Sequence, residues 1–448
     1  MASLKHNHLF LTILALLLLL TCSNQSVRAQ DNSAGRGVEI SDALTHTLAR
    51  NHDIQAAKHE YFVRKEQIRE AMAGWFPQIS AQGSLNYLDS DVSGQSFASG
   101  SVENTSKQFG VSLEQPLFTG FEVDGQVDSA RYLLRSQFQN LRQTTQSIVV
   151  DAATAFMDVL LQDFLTTLNE SNVKRLEEQY RAASLRTKAG ELTRTDVAQT
   201  KAALDSAKAQ LRRVKGEAAK VKARFAQLTH LPENTALLEP FDPSFSIPNS
   251  LEEASNFLHA NNPEILEARF IELAAKEDIE TRLGALMPKI DLTAGYNRAF
   301  DPDTGAIEES EQRQVGLRAT LPLYQGGADR SRLRQAKITA NQRAIEVQST
   351  EKRLQEELRS AWEDWHTAKA TLTSRQSQLE AAHIAQEGTY KEMIVGLRTV
   401  LDSLDANQDL LQAQTDLAQA RRDELVALYD LAGLLGLVVD EEDILAEK

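Results

Sequence analysis

Two groups of side chains in this 448-residue chain could carry chemistry. Asp402 and Asp405 are three residues apart, which puts both carboxylates on one side of a predicted helix. His46, His52 and His59 are spaced six and seven apart, so they form no i, i+4 ligand pair, and no cysteine lies near them to complete a metal site. The sequence also has no phosphate-binding glycine loop and no nucleophile elbow. We therefore predict a protein that is not an enzyme and that has no metal site and no cofactor.

The composition favours long helices and an acidic surface. Lys and Arg total 48 against 63 Asp and Glu, a net charge of −15, and no Lys/Arg-rich stripe is evident. Nucleic acid is not expected as a partner because such binding depends on neutralising phosphates. Only 6% of residues are aromatic, with 21 glycines and 10 prolines, a balance typical of long helices. The single cysteine excludes a disulfide framework.

The first 29 residues resemble a secretory signal peptide. Lys5 precedes an apolar run at 9–20, and a polar stretch follows it. The run is shorter than the roughly 20 residues that a helix needs to span a bilayer. Val27-Arg28-Ala29 suits signal-peptidase cleavage before Gln30, while lipoprotein processing at Cys22 stays open as the alternative. Either route exports the chain.

The chain contains one pattern twice. Asn51 and Asn262 share an offset of 211 residues, as do Pro77 and Pro288, and from 115–120 onward the offset becomes 206, as between Gly190 and Gly396. Self-similarity at this scale indicates an internal duplication. The predicted organisation is a signal peptide at 1–29, a first repeat at 30–230, a proline-containing linker at 231–250, a second repeat at 251–436 and an acidic C-terminal tail at 437–448.

Each repeat reads as a helix, a β-hairpin, a very long helix and a further helix. Residues 41–73 have helical spacing and end before Pro77. Alternation of apolar and polar residues then predicts hairpins at 77–116 and 288–322, with four strands of about 9–11 residues. The Ser-, Gly- and Asp-rich segments 89–106 and 298–312 are expected to be exposed hairpin loops.

Long helices are predicted from Gly120 to Ala189 and from Gly326 to Gly396. Their apolar positions recur with a period near 3.5, which keeps one seam on a neighbouring helix. Seventy residues at about 1.5 Å each form a rod of about 105 Å. Trp362 lies about 54 Å along the second rod, too far for a membrane belt, so we expect it and Trp365 to pack between helices.

An exported chain with amphipathic strands must pair every backbone group inside lipid, which requires a closed barrel. Four strands cannot close. Two copies would supply eight strands, whose interior side chains largely fill the barrel, and three copies would supply twelve strands around a water-filled bore. The fold class predicted is an internally duplicated α+β membrane protein with long coiled-coil helices and four β-strands per protomer. Lipid-facing strand residues would be Ile79, Leu85, Tyr87, Val111, Leu292, Tyr296, Val315 and Leu317. Aromatic residues at the strand–helix junctions, where an interfacial belt belongs, are Trp75, Phe76, Phe118, Phe121 and Tyr324. The alternative is a soluble sheet with ordinary core aromatics.

These motifs resemble the TolC-like outer membrane efflux proteins over essentially the whole mature chain. The resemblance is carried by Pro-Leu-Phe/Tyr-x-Gly at 116–120 and 322–326, by Thr195-Asp196-Val197 after Gly190, and above all by 396–406, Gly-Leu-Arg-Thr-Val-Leu-Asp-Ser-Leu-Asp-Ala. It implies a trimer with a twelve-stranded outer-membrane barrel and an α-helical barrel that crosses the periplasm. It also implies a periplasmic adaptor and an inner-membrane transporter as partners.

The resemblance further implies roles for the residues at the helix tips. Asp402 and Asp405 would ring the periplasmic entrance, where crowded carboxylates attract cations. Asp196 and Arg398 would belong to the contacts between helices that hold the entrance closed, with an exposed ion pair of little energetic worth as the alternative. Met393 departs from the family pattern, in which a tyrosine takes part in that network. Turns expected to contact the adaptor contain Gly190, Leu192, Gly396, Leu397 and Thr399.

The sequence thus predicts a passive exit duct of a tripartite efflux pump or a type I secretion system, located in the outer membrane and gated at its periplasmic tips. The alternative is a periplasmic coiled-coil adaptor or structural protein that does not conduct. A wide polar bore leaves drug, metal ion, polysaccharide and protein substrates all open.

Overall fold

A computed structural model describes residues 37–92, 100–239, 245–302, 308–439 and 444. The signal peptide and Cys22 lie outside the described residues. The helices of the first repeat are α1 (Ile40–Arg50), α2 (His52–Met72), α3 (Glu122–Lys188) and α4 (Arg194–Thr229). Those of the second are α5 (Leu251–Asn261), α6 (Pro263–Gly284), α7 (Ala328–Ile394) and α8 (Val400–Leu435). The strands are β1 (Gln78–Val92), β2 (Gly100–Phe118), β3 (Lys289–Phe300) and β4 (Glu309–Thr320).

The duplication is visible element by element. Helices α3 and α7 each have 67 residues and α4 and α8 each have 36, all at the offset of 206. The asparagines before α2 and α6 make equivalent contacts. Each side-chain oxygen caps its helix, and each Nδ2 donates to a carbonyl, Leu228 O for Asn51 and Leu434 O for Asn262. The two repeats therefore share their local structure.

The predicted continuous helix at 41–73 is wrong in one respect. Asn51 has extended backbone angles, φ −64° and ψ 129°, and separates α1 from α2. Its side-chain oxygen accepts from the backbone N–H groups of Asp53 and Ile54, so it starts a new helix instead of continuing the first.

The four strands form one antiparallel sheet in the order β1-β2-β3-β4. The predicted strand length is wrong, because β1 has 15 residues, β2 has 19, and β3 and β4 have 12 each. The predicted loops are also largely strand: Asp89 pairs with Glu103 and Arg298 with Glu311. Backbone hydrogen bonds do not depend on side-chain polarity, so the ladder continues after the apolar alternation ends.

The helices attached to the strands follow the order of the strands. Helix α2 contacts α3, α3 contacts α6, and α6 contacts α7, while α4 packs on α3 and α8 packs on α7 and α3. The main apolar clusters lie along these helices. One surrounds Phe156 and Phe225, and another contains Leu258, Trp362 and Leu431. Trp362 is 9% exposed, which confirms that it packs between helices.

The described part of the predicted C-terminal tail packs on the helices. Val439 and Ile444 are 5% and 1% exposed and contact a cluster with Leu141 and Val149 of α3. Among the described residues, no helix is both long and apolar enough to cross a membrane.

Candidate functional site

The sheet has an apolar face and a polar face. The strand register brings Val111 opposite Tyr296 and Leu292 opposite Leu317, which aligns the apolar positions of all four strands. By this register all eight residues predicted to face lipid lie on one face: Ile79, Leu85, Tyr87, Val111, Leu292, Tyr296, Val315 and Leu317. Several are highly exposed, with Val315 at 79% and Leu317 at 71%.

The opposite face carries mainly small and amide side chains that contact one another across the strands, with the charged residues Glu114, Asp291 and Arg318 at its helix-proximal end. The hydroxyls of Ser80 and Ser112 lie 2.7 Å apart, and Gln108 Nε2 donates to Asn297 Oδ1 at 2.9 Å. A surface of this kind is polar and readily hydrated. It is suited to line a water-filled passage.

Aromatic residues lie where strands meet helices. Phe118 at the end of β2 makes an edge-to-face contact with Phe121, their ring centroids 5.5 Å apart. Phe76 and Tyr324 are 56% and 86% exposed, whereas Trp75 is half-buried, and its carbonyl accepts from Gln115 Nε2. The predicted aromatic residues therefore lie together at the boundary between the sheet and the helices.

At the far ends of α3 and α7 the chain turns back through Gly190 and Gly396, each with φ +82°. Few residues other than glycine adopt that conformation without strain. Helices α4 and α8 then begin with identical capping boxes. Thr193 and Asp196 exchange hydrogen bonds at the start of α4, and Thr399 and Asp402 do so at the start of α8.

The capping box gives Asp402 a structural role that was not predicted, although the Thr-x-x-Asp spacing at 399–402 indicates it. Its Oδ2 accepts from the backbone N–H of Thr399 at 2.9 Å and from the Thr399 hydroxyl at 2.8 Å. These two hydrogen bonds hold the pKa of the Asp402 carboxyl below its ordinary value. Asp402 therefore stays ionised at neutral pH.

Asp405 lines a groove of about 790 Å³ between α4 and α8, with α3 at its base. Amide side chains, among them Asn169, Gln199, Asn407 and Gln408, and aliphatic side chains line the groove in equal number. Asp405 is exposed and Asp402 is half-exposed, so both carboxylates are accessible to water near the tip.

Asp196 and Arg398 are not paired with each other within the chain. The Asp196 carboxylate accepts from Thr193, whereas Arg398 Nε donates to Glu392 at 3.1 Å. The predicted Asp196–Arg398 pair is therefore not formed within the folded chain.

A buried polar node near the tip was missed by sequence reasoning. Asn407 is 4% exposed, and its Oδ1 accepts from Arg175 Nη1 and Gln386 Nε2, both at 3.2 Å. It thereby joins α8 to α3 and α7. The sequence indicates this contact only through the presence of a polar residue at an inward-facing heptad position of α8.

The turns expected to contact an adaptor have an exposed apolar surface. Gly190, Gly396 and Thr399 are exposed and Leu192 is half-buried. Large apolar side chains exposed at the tips are Leu185, Ile394, Val395, Leu397 and Leu401. Exposed apolar side chains of this kind are suited to contact with another protein.

The family model described as outer membrane efflux protein matches the chain twice, at residues 43–229 and 255–437. The outer membrane efflux protein BepC of Brucella suis is 30% identical over 405 residues, covering 90% of this chain and 86% of the relative. The alkaline protease secretion protein AprF of Pseudomonas aeruginosa is 24% identical, covering 75% of this chain and 70% of the relative.

The fold is shared with solved outer-membrane channels. The CmeC channel of Campylobacter jejuni superimposes with a TM-score of 0.78 at 15% identity, covering 90% of this chain and 86% of that one. The resemblance and the outer-membrane location predicted from the sequence are confirmed by these matches. The chain belongs to the outer membrane efflux protein family.

Proposed function

We propose that three copies of this chain form the exit duct of an export system, conducting substrates across the outer membrane without altering them. The observation that carries the proposal is the two-faced sheet. Its apolar face suits lipid and its polar face suits water, and β1 and β4 form its outer edges. Exposed edges of this kind must find partners in a membrane.

Three sheets joined edge to edge, β4 of one subunit to β1 of the next, give a barrel of twelve strands. A barrel of that size leaves a central bore, whereas eight strands fill their interior with side chains. The polar rows containing Ser80, Gln108 and Asn297 would line the bore. The aromatic residues of the strand–helix junctions would lie at the periplasmic boundary of the lipid. They are Trp75, Phe76, Phe118, Phe121 and Tyr324.

We propose that Asp402 and Asp405 form the narrow periplasmic entrance, with six carboxylates contributed by three subunits. In this arrangement Asp196 and Arg398 would hold the entrance closed through contacts between subunits, because each has a different partner inside its own chain. Opening would require those contacts to release.

The partners proposed are a periplasmic adaptor and an inner-membrane transporter. The adaptor would cover the apolar tip residues, in particular Leu397 at 77% exposure. The name of BepC points to efflux and that of AprF to protease secretion, so both classes of export system remain candidates for this chain.

Fractionation tests the duct. We expect the protein in detergent extracts of outer membranes as a trimer that separates into monomers on heating, and we expect ion conductance when it is added to planar bilayers. Recovery as a soluble monomer would contradict the proposal and favour a periplasmic coiled-coil protein.

Block of the ion conductance by divalent cations tests the proposed entrance. Asp405→Asn removes a charge without disturbing a cap, and Asp402→Asn keeps a side-chain oxygen that can still accept from Thr399. Both should weaken block of the conductance by divalent cations added on the periplasmic side. Asp205→Asn, exposed on α4 and outside the groove, is the matched control, and unchanged block in the first two variants would move the constriction elsewhere.

A further inference from the structure

The outward face of α7 near the sheet carries three basic side chains and two isoleucines. Arg330, Arg334 and Lys337 are exposed, and within the described part of the chain they make no ion pair. Ile338 and Ile345 are 67% and 65% exposed and lie seven residues apart on the same side of the helix. This face therefore combines unpaired cations with large exposed apolar residues.

The outward face of α2 has the complementary pattern. His59, Val63, Glu66 and Glu70 follow heptad spacing and are all exposed, with Val63 at 58%. Glu66 pairs with Arg69 of its own helix, but both side chains are more than half exposed, so this pair contributes little. Both faces lie on the outermost helices of the α2-α3-α6-α7 series.

The duplication supplies a template for how these faces meet. Helix α6 is the repeat of α2, and α3 is the repeat of α7, and α3 and α6 already pack against each other inside the chain. There the approach is close: a Cβ on Gly125 would lie 2.6 Å from Thr281 Oγ1. The same pair of surfaces, repeated between subunits, is α7 against α2.

If α7 and α2 of two subunits pack in the register of α3 and α6, residues of opposite charge lie next to each other. Inside the chain Asp128 lies near Glu277; burial of the Glu277 carboxyl and the charge of Asp128 both raise its pKa. The repeat equivalents of Asp128 and Glu277 are Arg334 and Glu66. A repulsive pair within one subunit thus becomes an attractive pair between two.

The same register aligns the neighbouring positions. Thr281 and Gly125 correspond to Glu70 and Ser331, which brings Glu70 beside Arg330 and Arg334. One turn further from the sheet, Val63 faces Ile338. Glu70 and Ser331 are larger than Thr281 and Gly125, so α7 and α2 must lie further apart than α3 and α6 do at Gly125. The long Arg and Glu side chains can span that distance.

We infer that a second copy of this chain docks its α2 on α7, through ion pairs of Arg330, Arg334 and Lys337 with Glu66 and Glu70 beside a Val63–Ile338 contact. This seam rests on the proposed homotrimer and assigns its residues. The α7 face is basic and the α2 face is acidic, so the α7 face of one subunit binds the α2 face of the next. Such head-to-tail contacts build a closed ring, whereas a two-fold dimer would place identical faces against each other.

Charge exchange in the full-length protein tests the seam. Arg334→Glu and Glu66→Arg each create a like-charge contact and should lower the yield of heat-labile trimer about tenfold, a change that corresponds to about 1.4 kcal/mol. The double variant restores the opposite signs and should recover the trimer. Lys391→Glu at the far end of α7 should have no effect.

Cross-linking provides the second readout. Val63→Cys with Ile338→Cys should give disulfide-linked trimers on oxidation, and either cysteine alone should not. A wild-type trimer that shows no cross-link and tolerates both reversals would overturn the seam but leave the duct intact. Absence of a wild-type trimer would overturn the duct itself. If Arg334→Glu instead reduces binding to phosphatidylglycerol vesicles without affecting the trimer, the basic face contacts lipid and the seam is wrong.

Discussion

The guanidinium of Arg175 on α3 donates to the side-chain oxygen of Asn407 on α8 at 3.2 Å, in a position where Asn407 is 4% exposed. The same oxygen accepts from Gln386 of α7. One buried oxygen therefore links three helices near the tip. A second link between α8 and α3 lies further from the tip, where Arg422 Nε donates to Asp158 at 2.8 Å.

Asn407→Ala should loosen α8 from α3 at the tip. The substitution leaves the donors of Arg175 and Gln386 without their acceptor, a loss of about 1–3 kcal/mol. Hydrogen exchange should accelerate in the first turns of α8 and in the facing part of α3. Gln408→Ala, an exposed neighbour, is the control, and equal exchange in both variants would contradict the importance of the node.

Thr399→Ala should fray the start of α8. The hydroxyl caps the backbone N–H of Asp402 and also donates to its carboxylate, and loss of such a cap costs about 1 kcal/mol. Faster hydrogen exchange confined to the residues after Gly396 is the expected result. Thr399→Ser should retain slow exchange, and Thr193→Ala should produce the equivalent effect at α4 only.

Acid should weaken the same cap. Because the pKa of Asp402 is lowered in the folded chain, its stabilising contribution is fully present above the ordinary value of 3.8 and disappears as pH falls through the lower folded value. Pepsin cleavage at the tip should therefore increase below about pH 4. Asp402→Asn, which cannot ionise, should remove this dependence; the same pH response in both proteins would assign it to another carboxylate.

Leu258→Ala should destabilise the helical region. Leu258 is fully buried against Leu354, Trp362 and Leu431, and truncation of such a side chain costs about 2–5 kcal/mol. We expect a lower midpoint of thermal unfolding measured by helical circular dichroism. Ile384→Ala, at a position that is 65% exposed, should shift the midpoint little, and similar shifts in both variants would mean that the cluster does not hold the helices together.

The helices were predictable because their signals are local. The prolines at 77 and 288 and the glycines at the turns each act within a few residues. The long helices consequently begin and end within two residues of the predicted positions, at Glu122–Lys188 and Ala328–Ile394. At Asn51 the local capping signal was overlooked.

Strand ends were not predictable from the pattern. Alternation marks only the part of a strand whose two faces differ in environment, and it disappears where Asp89 pairs with Glu103 although the backbone ladder continues. The partners of individual charged residues could likewise not be predicted from the sequence. Nothing in the spacing of Arg398 distinguishes Glu392 from Asp196 as its partner, because surface ion pairs are governed by side-chain geometry.

The duplication, the order of elements, the apolar and polar strand faces and the family could all be read from the amino-acid sequence, since each depends on periodicity or on residues close in the chain. The folded chain was needed to show which helices are neighbours, that Asn407 joins three of them, and that α3 packs against α6. Those relations join residues far apart in the chain, and packing in three dimensions, not local propensity, selects them.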